Sequence, residues 1–280
     1  MVTDELVFSP GDGFDVTQTF FGLGGLPSIL WKAQEVDREV TVEAYTSKQD
    51  ATLSWEAETK QETEASVQAR TNYEKTIASR KKGDTYPPPP PVVLETVTAR
   101  GTVEFIDLQQ AHTLSLPAYW LPGPNNLLRQ RSAIWLSQDA YLELDRTGST
   151  DVYFDVTSQA AGDLLKSSKD WAEAVRRLRE QETQAQTRRE PARLKKEGDK
   201  MDWPVTINGE QKMVRVIKAK NDFGELIILA NEKNPLILKA TINPLFPGIS
   251  QAVGTNIEWN TLFGYEIKRL RLLSSKPLEP

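Results

Sequence analysis

The sequence predicts a mainly β fold: a curved antiparallel sheet or two packed β layers, with one prominent charged helix at about 165–190. Three observations point there. Apolar and polar residues alternate at period two along several stretches. Turn-forming pairs and Pro/Gly clusters separate those stretches. One long segment departs from both patterns and is dense in charge of both signs. The length of 280 residues suits a single β-rich domain over 1–280, with a proline-rich loop at 82–92 and a helical segment at 163–199. Two β domains, 1–160 and 200–280, are the alternative.

The first strands are read from alternation. Val40, Val42 and Ala44 point one way, with Thr41 and Glu43 opposite. Leu53, Trp55 and Ala57 repeat the pattern against Ser54, Glu56 and Glu58, as in half-buried antiparallel strands. Residues 60–80 fit either a strand or a helix stripe through Ala65, Ala69, Tyr73 and Ile77, and the expectation is a continued strand. In "KKGDTYPPPPPVV", five consecutive prolines lack the N–H that a sheet needs and predict a stiff polyproline II segment. Such a segment is a semi-rigid loop or a docking ligand for an aromatic groove.

"VLETVTARGTVEF" predicts the next strand, with Val97, Ala99, Val103 and Phe105 inward and a bulge at Gly101. "LPAYWLPGPNN" reads as a loop. In "SAIWLSQDAYLELDRTGSTDVYFDV", Leu142 and Leu144 alternate with Tyr141 and Glu143, and Val152, Phe154 and Val156 with Tyr153 and Asp155. With "DRTGST" as a turn, this predicts a hairpin.

The charged segment follows. Ser167 and Asp170 resemble a capping box, and Trp171, Ala174, Val175 and Leu178 form one helical stripe that Pro191 should interrupt. Strands then return. Asn208-Gly209 in "WPVTINGEQKMVRVIKA" suits a type I′ turn. "FGELIILANEKNPLILKATI" predicts a second hairpin with "ANEKNP" as its loop, and a last strand runs from about Tyr265 to Leu272. Leu226, Ile227, Ile228 and Leu229 are apolar on both faces, as are Leu236, Ile237 and Leu238. Each buried Leu or Ile contributes roughly 1.5–3 kcal/mol, so this pair needs cover above and below. The helix near 171–178, a second sheet or an apolar ligand would supply it.

Composition narrows function. The formal charge of −5 argues against a whole-surface attraction to nucleic acid or anionic lipid. With no cysteine there is no disulfide, thiolate nucleophile or cysteine-ligated metal. One histidine, His112, cannot form a multi-histidine metal site, and it is read as structural rather than as a base. No run approaches the roughly 20 apolar residues of a transmembrane helix, and "MVTDELVFSPGDGF" has no signal-peptide pattern.

"GDGFD" lacks the alternating ligands of a Ca²⁺ loop and reads as a turn. "FFGLGGLP" lacks the Lys-Ser/Thr of a phosphate loop, and "LDRTGST" lacks the paired Asp-Thr-Gly of an aspartic protease. No Gly-x-Ser-x-Gly elbow is present. The mixed signs at 176–197 suit a solvated helix. Trp55, Trp120, Trp135 and Trp259 are read as core rather than as ligand platforms. No cofactor or metal is expected.

"SAIWLSQDAYLEL…GSTDVYFD", "VTINGEQKMVRVIKA" and "ELIILANEKNPLILKATI" resemble uncharacterised β-rich exported bacterial proteins. Their cores are similar to the periplasmic lipoprotein-carrier fold, a curved antiparallel sheet around a helical plug. The resemblance covers about 130–160 and 203–272. It implies a periplasmic or cell-envelope location, a mature-length chain with an added Met1, and a concave apolar surface that holds a lipid or other apolar molecule. A cytoplasmic location is the alternative. The charged helix and proline loop have no counterpart in that pattern.

Three functions are therefore expected in order. The first is a non-enzymatic cell-envelope protein binding a lipid on its sheet, lined by Trp135, Leu226, Ile228 and Leu238. The second is a structural or protein–protein interaction module using the charged helix and the proline loop. The third is a hydrolase with carboxylates assembled in space from among the 39 acidic residues.

Overall fold

The computed structural model describes residues 3, 6–21, 33–47, 49–79, 87–115, 123–155, 193–221, 224–242 and 263–273. They form β1 (Gly13–Phe21), β2 (Ala33–Thr46), β3 (Asp50–Glu62), α1 (Glu64–Ala78), β4 (Leu94–Ile106), β5 (Thr113–Ser115), β6 (Gly123–Arg129), β7 (Arg131–Ser132), α2 (Gln138–Thr147), β8 (Ser149–Asp151), β9 (Tyr153–Asp155), β10 (Arg193–Lys196), β11 (Met201–Ile207), β12 (Glu210–Asn221), β13 (Gly224–Leu229), β14 (Ile237–Ile242) and β15 (Phe263–Arg271). The fold is mainly β. Two compact units divide the chain: Met1–Glu56 with Arg100–Pro280, and Ala57–Ala99.

In the larger unit, β11 to β15 form an antiparallel meander that closes on itself. The closure is a short parallel pairing of Thr206 with Arg269 and Ile207 with Leu270. An odd number of alternating strands returns in the starting direction, so the closing pair has to be parallel. The enclosed side is filled by Val205, Ile207, Val214, Val216, Ile267 and Leu270, none more than 5% exposed. The outer edge of β15 pairs with β1, and β1 with β2, extending the sheet. Val40, Val42, Leu53 and Trp55 are buried as the alternation predicts, and the buried guanidinium of Arg38 sits 5.4 Å above the Trp55 ring. Ala44 is exposed because the β2–β3 register shifts between Val42 and Ala44.

The Asn208-Gly209 turn forms as predicted, with φ of 51° and 86°. The hairpin of β13 and β14 forms too, with a register shift between Ile227 and Ile228. Val103 and Phe105 are fully buried, and β4 shifts register against β6 between Gly101 and Val103.

Four expectations are corrected. Residues 60–80 are not a continued strand: β3 ends at Glu62, and α1 begins where the Thr63 hydroxyl accepts the Ser66 N–H at 3.3 Å. The hairpin expected around Leu142 and Leu144 is helical in its first half, as α2. Ser137 caps its start by accepting the Ala140 N–H. Ala140, Tyr141 and Leu144 are buried, a spacing that faces one side of a helix. Gly148, at φ 78°, ends it by donating to the Leu144 carbonyl. The second half is extended, but β8 and β9 pair with β10 and β5 instead of with each other.

The expected loop "LPAYWLPGPNN" becomes strand from Gly123 onward, because β6 joins the edge of β4 in parallel. At the end of the segment expected to be helical over 163–199, Arg193–Lys196 is strand β10, which buries Leu194 between β8 and β12. Residues 197–199 are not helical either, and residues 163–192 of that segment, including the stripe from Trp171 to Leu178, lie outside the described residues.

The smaller unit, 57–99, carries α1, the proline run and sections of β3 and β4. Ser66 is the only buried residue of α1. The helix therefore draws its stability from its ends and from side-chain pairs such as Arg70–Glu62 at 3.0 Å.

Candidate functional site

The four residues expected to line an apolar surface come together, but as packed core. Leu226 and Ile228 lie on β13, opposite Ala240 and Ile237 of β14. Leu238 falls where the register shifts, between the partners of Ile227 and Ile228. All three are 0% exposed. Trp135 is 2% exposed and forms an isolated bridge with Leu236.

Both faces of the apolar pair are covered, as the sequence requires. One cover is the segment around Trp135: the Leu136 N–H donates to the Pro235 carbonyl, and the Ile237 N–H to the Ile134 carbonyl. Phe8, Tyr45 and Phe105 surround the Trp135 ring, with centroids 6.3, 5.5 and 5.7 Å away. The Tyr45 hydroxyl donates to the Lys233 carbonyl at 2.8 Å. Burial pushes its phenol up to about 12, against a smaller opposing pull from the Ser47 hydroxyl.

Two buried asparagines fasten this region. Asn231 donates to the Thr3 and Leu6 carbonyls at 2.8 and 3.0 Å, and Asn234 donates to Leu6 at 3.0 Å. "ANEKNP" therefore binds the amino-terminal segment across the hairpin. In sequence it reads only as a turn, because the partners lie more than 200 positions away.

Residues weighed for chemistry take structural places. His112 is half-buried, with Nδ1 3.2 Å from the Asp151 carbonyl, and its own carbonyl accepts the Tyr153 N–H. Asp12, of "GDGFD", is fully buried and accepts from the Ser9 and Leu273 N–H groups. Trp55 and Trp135 are core, while Trp120 and Trp259 lie outside the described residues. Among the described residues, no group of three or more His, Asp or Glu side chains is placed to hold a metal ion. Nor is any helix there long and apolar enough to cross a membrane.

The smaller unit presents a different surface. Val92, Val93 and Leu94 are consecutive and 52, 51 and 54% exposed, and Val67 on α1 is 41% exposed. The backbone beneath them is well held. The Thr63 N–H donates to the Val93 carbonyl at 2.9 Å, and the Val93 N–H to the Ser66 hydroxyl at 3.1 Å. Three consecutive exposed aliphatics thus sit on a fastened backbone, with Val67 exposed on the neighbouring helix α1. The sequence signal for α1 is the helical spacing of Ala65, Ala69, Tyr73 and Ile77, which overlaps a strand pattern in the same residues.

The class defined by these features is a mainly β protein with a filled, closed meander and a separate helix-and-proline unit. No protein-family model, curated protein or solved structure matches the chain.

Proposed function

We propose that this protein is a non-enzymatic protein–protein interaction module, with its contact surface on the 57–99 unit. The observation that carries this reading is the outward-facing run Val92–Val93–Leu94, held in place through the amino-terminal turn of α1. An exposed Val or Leu side chain forgoes roughly 1.5–3 kcal/mol of burial, and a partner's surface can recover it. The lipid-carrier reading draws less support. It needs space beside Trp135, Leu226, Ile228 and Leu238, and these side chains are enclosed by the protein's own atoms.

The test is a photo-crosslinking residue placed at Val93 in the full chain, in the cells that make it. One dominant protein adduct is expected, absent when the probe sits at exposed Gln211. Equal labelling from both positions, or none from Val93, would remove the basis for this function.

A further inference from the structure

The proline run of the smaller unit is mounted along α1. Near one end, the Tyr73 hydroxyl donates to the Pro87 carbonyl at 2.9 Å. Near the other, the Ser66 hydroxyl lies 3.4 Å from the Pro91 carbonyl. Ser66 and Tyr73 are separated by about 10.5 Å of helix at 1.5 Å per residue. Pro87 to Pro91 spans about 12 Å at the 3.1 Å rise of polyproline II. The two lengths match, so the run lies antiparallel to the helix at nearly full extension. Each proline fixes its own φ and excludes the helical region for the residue before it, so the rod is stiff before any partner arrives.

A polyproline II helix has three residues per turn, so Pro88 and Pro91 share one ridge and Pro87 and Pro90 another. Pro90 is half-buried, whereas Pro87, Pro88, Pro89 and Pro91 are exposed. The ridge of Pro88 and Pro91 therefore faces solvent at the spacing that aromatic-lined grooves receive. In sequence, three cations, Arg80, Lys81 and Lys82, and one acid, Asp84, precede the run, a net positive stretch.

We propose that Pro87–Pro91, splinted along α1, is a ligand for a partner protein bearing an aromatic-lined groove with an acidic rim. This rests on the reading of the 57–99 unit as an interaction surface and names its partner class. Holding the rod in place lowers the entropy lost on docking, which is the advantage of the splint over a free proline loop.

The test titrates the full chain with three isolated groove domains of the SH3, WW and EVH1 types, followed by NMR shifts of the groove's aromatic residues. Saturable binding to at least one is expected. It should weaken tenfold or more in the Pro88→Ala/Pro91→Ala double variant, several-fold in Tyr73→Phe, and several-fold in Lys81→Glu/Lys82→Glu. Gln211→Ala, at an exposed position of the larger unit, should leave it unchanged. If the double proline variant fails to fold, the lysine pair and Tyr73→Phe decide. Binding to none of the three domains, or binding insensitive to these changes, overturns the proposal. A protein adduct from Val93 together with silence from all three domains would overturn this inference alone and leave the interaction reading standing.

Discussion

The indole N–H of Trp135 donates to the side-chain oxygen of Asn234 at 2.8 Å, with both residues buried. The same amide donates through its nitrogen to the Leu6 carbonyl. One side chain thus joins three separate parts of the chain: the amino-terminal segment, the region after β7, and the β13–β14 loop. Truncating Asn234 to Ala strands the buried Trp135 N–H, while the Leu6 carbonyl keeps its bond from Asn231. A loss of about 1–3 kcal/mol in urea unfolding is expected. Combined with Trp135→Phe in a double-mutant cycle, the two effects should fall short of additive. Full additivity would show that the bond contributes nothing.

Asn231 binds Thr3 and Leu6 without touching Trp135 through any bond seen here. Asn231→Ala is expected to release the first residues ahead of the rest. Hydrogen exchange should accelerate at the Leu6 N–H, which bonds to the Thr3 carbonyl, while the β12–β13 amides stay protected. Uniform acceleration throughout would mean that the amino-terminal segment opens only with the whole fold.

The Tyr45 phenol gives stability a pH signature. Its pKa rises from 10.0 unfolded to about 12 folded, chiefly through burial. The unfolded chain therefore loses this proton first. The stabilisation is fully present below pH 10 and is lost as pH rises through the folded value. About 2–3 kcal/mol should disappear over that window, at 1.36 kcal/mol per pKa unit. Denaturation series from pH 9 to 12 should show a shallower decline in Tyr45→Phe than in the native chain, and parallel curves would refute the assignment.

Asn208 and Gly209 close the β11–β12 turn, and the Asn208 side chain also binds both backbone groups of Leu272. Gly209→Ala forces an L side chain to φ near 86° and should cost about 1–2 kcal/mol. Asn208→Asp exchanges the donor to the Leu272 carbonyl for a second acceptor and should cost at least about 1 kcal/mol. Thermal melts of the two variants check both figures.

Leu226→Ala separates a packed core from a ligand surface. With Leu226 at 0% exposure, the lipid-free protein should lose about 2–5 kcal/mol. A loss below 1 kcal/mol in protein stripped of lipid, with recovery of a bound lipid from the native chain by mass spectrometry, would restore the carrier reading.

Much of the fold was legible because it rests on local chemistry. Asn208-Gly209 announces its turn through the positive φ it tolerates, and Leu53, Trp55 and Ala57 announce a half-buried strand through their alternation. The errors fall where two periods coincide. Ala140, Tyr141 and Leu144 bury a helical face, yet Leu142 and Leu144 beside Tyr141 and Glu143 also satisfy a strand over so short a window. The helix signals were there in the Ser137 cap and in Gly148, outside the apolar pattern itself. Gly123–Asn126 looks like a loop by composition, and only the nearby edge of β4 makes it a strand.

The sequence by itself determined a mainly β chain, the turn at Asn208, and the need to shield both faces of Leu226–Leu229 and Leu236–Leu238, because apolar burial and backbone sterics are written residue by residue. Only the tertiary structure decided what does the shielding. It brings Trp135 and the amino-terminal segment to Asn231 and Asn234, closes β15 on β11, and lays the prolines along α1. Those choices depend on groups far apart in the chain meeting at hydrogen-bonding distance, and no local pattern encodes such a meeting.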